Sequence, residues 1–417
     1  MKNVGIICEY NPFHNGHKYQ LEKAREISGA DNVICIMSGS YMQRGEPAAW
    51  NKWSRAEMAV KNGADLVIEL PVVYCCQAAE IFATGAVKIL NSMKVVDSLC
   101  FGSETGSLST MFELARILAD EPEKLKAAIQ SKLGEGLVFP RAYQLAVIDY
   151  LKNNKSLKEI DYNKAQSLLL SPNNILGLEY LKALILSNSK IKPFTVKRVG
   201  SAHNDNEIKN ELSSATSIRR EILEHGFTEK LENSLPFESL SILKTAGKIT
   251  TWEDFKELLF YKLRSTNISD IQQIAYITEG IENRILKALL HSTSVSDLID
   301  RVKTKRFTRT AIQRMLTAIL LGIKKEDIIS FKESSAPSYI RVLALNKNGG
   351  KILREMKKLE VENIINKFAS FKSEDPSINR MLTLDVRATE VYFSVLKENS
   401  TLKKPGLIDF LQSPIIV

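Results

Sequence analysis

The sequence predicts an α/β fold, in which a Rossmann-like parallel sheet in the first half of the chain is followed by a mainly α-helical C-terminal region. Short apolar runs alternate with helical patterns of ten or more residues, which is typical of βαβ units. The pattern becomes helical from about residue 230 onwards. We therefore expect a catalytic domain at 1–225 and a helical region at 226–417.

The elements of the predicted sheet follow one another in a regular order. Apolar, β-branched runs predict strands at 4–8, 32–39, 64–70, 95–101 and 195–199. Helical spacing follows at 18–29, 53–61 and 78–91, and most of 106–190 has the same spacing. In such sheets ligands bind beyond the carboxyl ends of the strands. A short segment at 171–174 predicts a turn in which Asn173 or Asn174 either caps the next helix or contacts a ligand.

The first strand leads directly into the motif His14-Asn15-Gly16-His17. A helix that starts after a strand binds phosphates well, because its first N–H groups lack partners and its dipole is positive at that end. Gly16 allows close backbone approach, and neutral imidazoles can donate hydrogen bonds to phosphoryl oxygens. This chemistry suits displacement at the α-phosphate of a nucleotide. A metal pair and a purely structural role are the alternatives, although few further histidines and no CxxC motif are present.

A second candidate phosphate site lies at Ser214-Ala215-Thr216-Ser217-Ile218-Arg219-Arg220. Hydroxyl side chains at a helix start serve as caps in any protein, but two arginines near that start oppose the helix dipole. A bound anion would remove this conflict, so we interpret the segment as a phosphate-binding helix start.

Composition indicates a soluble protein, with 44% hydrophobic and 25% charged residues. No run approaches the roughly 20 apolar residues of a membrane span, and the chain leads straight into a strand rather than a signal peptide. We therefore expect a cytoplasmic protein without a membrane partner. The five cysteines all lie in the first quarter of the chain and are expected to be reduced, buried thiols.

Positive charge is concentrated in one part of the chain. Residues 1–150 carry 15 Lys and Arg against 17 Asp and Glu, whereas 301–350 carry 11 against 3, a net charge of +8. The segment 301–314 contains six basic residues and no acidic one, including Lys303, Lys305, Arg306, Arg309 and Arg314. A solvated helix face would normally mix both signs, so this segment favours binding of a nucleic acid backbone.

Several ordered sequence blocks together resemble one known family. His14-Asn15-Gly16-His17 and the segment 214–220 resemble the motifs of the HxGH nucleotidyltransferase superfamily. With 9–17, 37–48, 65–71, 101–104, 171–176 and 304–309, the chain is similar over nearly its whole length to the bacterial tRNA(Met) cytidine acetate ligases. The resemblance implies a ligase that forms acetyl-adenylate from ATP and acetate with release of pyrophosphate. The acetyl group then passes to N4 of the wobble cytidine of elongator tRNA(Met), giving N4-acetylcytidine.

The resemblance also implies roles for particular residues. His14 and His17 would stabilise charge on the phosphates, and Ser214, Thr216, Ser217 and Arg219 would hold pyrophosphate. The implied ATP contacts are Gly102, Asn173, Arg198 and the segment 7–20, which comprises Ile7, Cys8, Glu9, Tyr10, Asn11, Pro12, Phe13, His14, Asn15, Gly16, His17, Lys18, Tyr19 and Gln20. We expect Mg²⁺ to accompany ATP, with no tightly bound metal held by protein side chains.

Two other functions remain open on the sequence. An HxGH adenylyltransferase acting on a small phosphate-bearing acceptor would have no use for RNA, and the basic segment argues against it. A nucleic-acid-binding protein with an inert nucleotide fold would have no need of the two histidines.

Overall fold

The structure, a computed structural model, describes residues 1–137, 139–154, 162–198, 213–278, 280–333, 339–396 and 407–417. One sheet runs through the described chain in the order β5-β4-β1-β2-β3-β6-β7, and β8 also pairs with β6. Its strands are β1 Asn3–Cys8, β2 Asn32–Ser38, β3 Leu66–Leu70, β4 Ser98–Ser103, β5 Lys192–Lys197, β6 Ile340–Leu345, β7 Ile364–Ile365 and β8 Ile415–Ile416. The five N-terminal strands are parallel, as the sequence predicts.

Helices cover both the sheet and the C-terminal half of the chain. The described helices are α1 Asn15–Ser28, α2 Lys52–Lys61, α3 Val72–Cys75, α4 Ala79–Ser92, α5 Leu108–Asp120, α6 Glu123–Gly134, α7 Phe139–Asn153, α8 Tyr162–Leu170, α9 Pro172–Leu186, α10 Ala215–His225, α11 Glu229–Ser234, α12 Phe237–Thr245, α13 Lys256–Ser265, α14 Ile268–Gln272, α15 Ile281–Leu289, α16 Val295–Val302, α17 Arg309–Leu321, α18 Lys325–Glu333, α19 Lys347–Lys358, α20 Pro376–Ser394 and α21 Ile408–Leu411. Every residue of β2 and β3 is buried, as expected for a parallel sheet covered on both faces.

The predicted elements are present with shifted ends. The first helix begins at Asn15 rather than at Lys18, and the fourth strand is Ser98–Ser103 rather than 95–101. The fifth strand is Lys192–Lys197, and Val199 of the predicted strand lies outside the described residues. The cap predicted for Asn173 or Asn174 is wrong, because α9 begins at Pro172 and its N-cap is Ser171.

The C-terminal half contributes strands that the helical pattern did not predict. β6 pairs with β3 in the antiparallel direction, and β7 and β8 both run parallel to β6. The sheet therefore continues across the predicted division at 225/226, and that division stays a prediction.

A buried set of charges joins the two halves of the chain. Lys52 lies 2.8 Å from Glu69 and 3.0 Å from Asp409, while Arg341 lies 2.6 Å from Asp409 and 3.2 Å from Glu69. Two cations thus face two carboxylates. Removing one partner of such a buried pair typically costs about 3–5 kcal/mol, because the other charge is left uncompensated. These contacts therefore fix α2, β3, β6 and α21 relative to one another.

Candidate nucleotide-binding site

The two histidines of the motif build the start of α1. The Nδ1 atom of His14, the N-cap residue, accepts a hydrogen bond from the N–H of Gly16 at 3.1 Å. The Nδ1 atom of His17 accepts from the N–H of His14 at 3.3 Å, which completes a capping box. Serine, threonine, aspartate and asparagine are the preferred N-caps. The cap alone therefore does not explain why a histidine stands at position 14.

These hydrogen bonds fix the tautomer of both rings. A backbone N–H can only donate, so each Nδ1 atom must be unprotonated, and a neutral ring then carries its proton on Nε2. The Nε2–H groups of His14 and His17 are thereby left as hydrogen-bond donors.

Both rings are held in the neutral form. Burial, together with the nearby charges of Arg198 and Arg219, lowers the pKa of His14 to about 3. Burial also lowers the pKa of His17 well below its usual value, with contributions from His14 and Arg198. The two rings stack with their centroids 3.7 Å apart, an arrangement that two imidazolium ions would disfavour. The pair can thus donate to phosphate oxygens at neutral pH without a change in protonation.

Buried aromatic side chains from the same segment support His17. The ring of Tyr10 lies 4.8 Å from that of His17 and 4.8 Å from that of Phe13, measured between centroids. Tyr10 and Phe13 are both fully buried, and the phenol of Tyr10 lies 3.5 Å from Cys35. The side chains of Tyr10 and Phe13 therefore orient the imidazole of His17 from the buried side. Any ATP contact predicted for these two residues would have to come from backbone atoms.

Gly102 and Arg198, two predicted ATP contacts, lie together at the ends of β4 and β5. The N–H of Arg198 donates to the carbonyl of Ser103 at 2.9 Å. A Cβ atom added to Gly102 would approach the side chain of Arg198 to 3.3 Å, so glycine allows the arginine to lie against the strand end. Arg198 is also close enough to both histidines to lower their pKa values.

The predicted contact Asn173 belongs to a network that shapes the loop after β4. Its side-chain amide donates to Glu104 at 2.7 Å, and the same carboxylate accepts from the N–H of Asn174 at 3.1 Å. The buried side chain of Asn174 accepts in turn from the hydroxyl of Ser103 at 2.8 Å and from the N–H of Glu104 at 3.0 Å. The two asparagines thus fasten the start of α9 to the end of β4, beside Gly102.

The second predicted phosphate site, at the start of α10, lies next to the histidine motif. Ser214 is its N-cap and accepts from the N–H of Ser217 at 3.1 Å. Arg219 donates to the carbonyl of Asn11 at 2.7 Å and to the hydroxyl of Thr216 at 3.4 Å. Arg220 instead pairs with Glu224 at 2.8 Å. The expected conflict with the dipole is therefore partly relieved within the protein, and Arg219 is the arginine that faces the site.

Arg55 supports the site, although it is not among the predicted site residues. This fully buried guanidinium donates to the carbonyls of Glu9 at 2.6 Å, Ser38 at 3.0 Å and Trp50 at 2.9 Å, and also to that of Gly39. It thereby ties the ends of β1 and β2 together. The available sequence signal was the presence of two cations, Lys52 and Arg55, among the apolar residues of α2.

Helix α17, in the C-terminal half of the chain, holds the loop that follows β2. Gln313 donates to Glu46 at 3.1 Å, Arg314 to the carbonyl of Gln43 at 2.9 Å, and Thr317 to the carbonyl of Gly45 at 2.7 Å. Gly45 has a φ of +80°, and a Cβ atom there would lie 2.4 Å from the backbone nitrogen of Arg314. Only glycine permits this close approach.

The structure divides the predicted RNA-binding residues into two groups. Lys303, Lys305 and Arg306 are exposed before α17. Arg309 pairs with Asp300 at 2.8 Å and donates to Ser296 at 3.0 Å, whereas Arg314 is turned toward the loop after β2. Acidic residues one turn before the segment thus neutralise part of its charge, and the binding of tRNA by these five residues stays a prediction.

Three further observations concern metal ligands, membrane-spanning helices and cysteines. Within them, no group of three or more histidine, cysteine, aspartate or glutamate side chains is placed to hold a metal ion. No described helix is long and apolar enough to cross a membrane. All five cysteines are free thiols, and four of them are buried.

Comparison with known proteins finds a matching family model, similar sequences and similar solved structures. A family model for the HIGH nucleotidyl transferases matches residues 1–405. The tRNA(Met) cytidine acetate ligase of Acetivibrio thermocellus is 40% identical over 425 residues, covering 100% of both chains. That of Thermoanaerobacter pseudethanolicus is 43% identical, covering 95% of this chain and 96% of its own. The crystal structure of TmcAL from Thermotoga maritima superimposes with a TM-score of 0.92 at 32% identity over 100% of both chains. A second structure of that protein, with bound alpha-thio ATP, gives a TM-score of 0.90 at 33% identity, again over 100% of both chains.

Proposed function

This chain belongs to the HIGH nucleotidyltransferase family and, within it, to the tRNA(Met) cytidine acetate ligases, and we propose that it acetylates N4 of the wobble cytidine of elongator tRNA(Met). ATP and acetate are the other substrates, and acetyl-adenylate is the intermediate. The observation that carries this proposal is the pair of neutral histidines, whose Nε2–H groups are left as donors beside Arg198 and Arg219.

The first step joins acetate to the α-phosphate of ATP. An acetate oxygen attacks the α-phosphorus, pyrophosphate leaves, and a mixed anhydride remains. Acetate is already ionised at neutral pH, so this step needs positioning and charge stabilisation more than a base. His14 and His17 donate to the phosphoryl oxygens, and their neutral state keeps these donors constant across the physiological pH range. Arg219 and the start of α10, with Ser214, Thr216 and Ser217, receive the outgoing pyrophosphate.

The nucleoside would lie over the ends of β4 and β5. Gly102 leaves space there, Arg198 supplies a positive charge, and the hydrogen bonds of Asn173 fix the neighbouring loop. Mg²⁺ would enter with the triphosphate, because this ion is usually bound through substrate phosphates and water rather than by an all-protein cage.

In the second step the cytidine amine takes the acetyl group and AMP leaves. The exposed side chains of Lys303, Lys305 and Arg306 would bind the tRNA backbone and position it without reading its sequence. We thus assign ATP and acetate chemistry to 1–225 and tRNA binding mainly to 226–417.

Exchange of radiolabelled pyrophosphate into ATP tests the first step. Label should enter ATP only when acetate is present, and the same preparation should transfer labelled acetate to tRNA(Met). A tRNA with uridine at the wobble position is the matched control and should accept no acetate. Exchange that required a small phosphate-bearing acceptor instead of acetate would support the alternative adenylyltransferase, and no exchange with any carboxylate would refute the ligase.

A further inference from the structure

A small cavity opens beside the phosphate site, between the α/β part of the chain and the C-terminal helices. Its volume is about 180 Å³. The residues that matter for its chemistry are Asn11, Glu46, Arg219, Thr250, Trp252 and Gln313. Asn11 and Arg219 also belong to the phosphate site, where the guanidinium of Arg219 bonds to the carbonyl of Asn11. The cavity is therefore continuous with the place where the α-phosphate would react.

The position of the cavity in the sheet suits an acceptor rather than ATP. β1 lies between β4 and β2, and the proposed nucleoside contacts Gly102 and Arg198 lie on the β4 side. Glu46 comes from the loop that follows β2, on the opposite side of β1. The nucleophile must approach the acetyl group from a side that the nucleotide leaves open. The cavity lies on that side.

The size of the cavity limits what can enter it. A volume of about 180 Å³ falls below the roughly 300 Å³ at which pockets for drug-sized ligands begin. The cavity therefore suits a single flat ring, with the rest of a nucleotide outside it.

The polar groups of the cavity match the pairing edge of cytosine. That edge presents an amino group, N4, which donates, and two acceptors, N3 and O2. A carboxylate is a suitable acceptor for cytosine N4, and the side-chain amides of Asn11 and Gln313 can donate to N3 and O2. Trp252 offers an indole against which an unpaired base can pack. Uracil would place an acceptor oxygen against the carboxylate and would be disfavoured.

Glu46 is held rigidly, with one carboxylate oxygen left available. Its Oε1 atom accepts from Gln313 at 3.1 Å. Its backbone carbonyl accepts from the N–H of Met42 at 2.7 Å, and it stands between Gly45, which α17 fixes, and Pro47. Its Oε2 atom has no hydrogen bond recorded within the described part of the chain.

We propose that this cavity receives the wobble cytosine, turned out of the anticodon loop, and that Glu46 binds its N4 amino group and takes a proton from it during acetyl transfer. The N4 lone pair forms the new bond to the acetyl carbon, and the bond from that carbon to the AMP oxygen breaks. AMP leaves with the bonding electrons, and the proton lost by nitrogen passes to the Glu46 carboxylate. This proposal rests on the function proposed above and identifies the catalytic residue of its second step.

The test compares two acceptors for the same acetyl-adenylate. Hydroxylamine is a small, strong nucleophile that captures the acetyl group as acetohydroxamate without needing the cytosine cavity, whereas tRNA needs it. Glu46→Gln keeps the size of the side chain and an oxygen that can accept from Gln313. We expect the ratio of tRNA acetylation to acetohydroxamate formation to fall at least about 100-fold in this variant, because a positioned proton acceptor typically contributes about 10²–10⁴ in rate. Glu46→Asp should recover part of the ratio.

Binding is measured separately with the full chain. An anticodon stem-loop RNA with cytidine at the wobble position should change the fluorescence of Trp252. Trp252→Phe is the control: the other two tryptophans still fluoresce in this variant, but the change on RNA binding should be lost. The same RNA with uridine should give a smaller change.

The outcomes separate this proposal from the function on which it rests. An unchanged acceptor ratio in Glu46→Gln would overturn the role of Glu46, as would a parallel fall in both products. Equal fluorescence changes with both RNAs would overturn cytosine binding in the cavity. A wild-type protein that formed neither product would instead refute the ligase itself.

Discussion

Replacing His14 by asparagine should lower acetate-dependent pyrophosphate exchange about 100- to 1000-fold, because one positioned donor to the reacting phosphate is lost. This corresponds to about 2.7–4 kcal/mol of transition-state stabilisation. Asparagine is a preferred N-cap, and its carbonyl oxygen can take over the hydrogen bond from the N–H of Gly16. The substitution thus removes the Nε2–H donor and retains the cap. His17→Gln is the equivalent change, since glutamine at the third helical position completes an ordinary capping box.

The stability of the variants distinguishes catalysis from folding. His14→Asn loses the stacking contact with His17, which is worth about 0.5–1.5 kcal/mol. His14→Ala also loses the cap and should be about 1 kcal/mol less stable again. Urea denaturation measures both differences. If the histidines acted only as caps, His14→Asn would exchange pyrophosphate nearly as fast as the wild type, and only His14→Ala would be impaired.

The pH dependence provides a second check on the same histidines. Because burial lowers the pKa of His14 to about 3, the ring stays neutral throughout the physiological range. The exchange rate should therefore show no transition near pH 6.5, where an ordinary histidine titrates. A rate that rose as the pH fell through 6.5 would indicate a charged imidazole acting as a general acid, and the neutral-donor reasoning would be refuted.

Three further predictions concern the arginine of α10, the exposed basic residues and a buried carboxyl group. Arg219→Lys keeps the charge but loses the forked hydrogen bonds, so the KM for ATP in the exchange assay should rise more than the KM for tRNA in the transfer assay. Alanine at the three exposed positions Lys303, Lys305 and Arg306 should weaken tRNA binding while pyrophosphate exchange continues. The slope of the logarithm of the binding constant against the logarithm of the salt concentration should fall by roughly two to three units, at about 0.7–0.9 per phosphate contact. Burial raises the pKa of Asp385 to about 7, so its stabilising contribution is complete below about pH 4 and is lost as the pH rises through 7. Between pH 4 and 8 this loss should amount to on the order of 2–4 kcal/mol of unfolding free energy. Asp385→Asn should remove this part of the pH dependence in urea titrations.

The outcomes that contradict these three predictions are distinct. Unchanged ATP dependence in Arg219→Lys would remove Arg219 from the phosphate site. The paired residues Arg301 and Arg309 provide the control for the basic segment. If their double alanine variant lost as much salt dependence as the triple variant, the exposed side chains would have no special role. A stability curve for Asp385→Asn that paralleled the wild-type curve would show that another group causes the pH dependence.

Local patterns were sufficient to predict the N-terminal sheet and the position of the histidine motif between a strand and a helix. A parallel strand buried on both faces is a continuous apolar run, and the motif begins six residues after the end of β1, so both features are visible over a short stretch of sequence. The strand at 340–345 is equally apolar apart from Arg341, but its partner β3 lies far away in the chain. Periodicity does not reveal pairing between distant segments, and this strand was therefore missed.

Charge patterns were more difficult to interpret for the same reason. Arg341 is buried because Glu69 and Asp409 neutralise it, and these three residues approach one another only in the folded chain. In the basic segment, the neutralising residues Asp297 and Asp300 lie just before its first residue, Arg301. Pairs four residues apart on a helix, such as Asp297 and Arg301, are predictable from sequence when the window includes the preceding turn.

In the proposed reaction, helix α17 would link tRNA binding to acetyl transfer. The exposed basic residues at 303–306 lie just before its first residue, Arg309, and Gln313, which holds Glu46, lies four residues further on. At 1.5 Å per residue this separation is about 6 Å along the helix. A tRNA bound to the basic segment would therefore bring its anticodon loop toward the loop that carries Glu46. Because α17 also fixes that loop through Thr317 and Gly45, the proposed acceptor side of the site is built by the region proposed to bind RNA. The proposed activation of acetate, in contrast, uses β1, α1 and α10 and would require no contact with the basic segment.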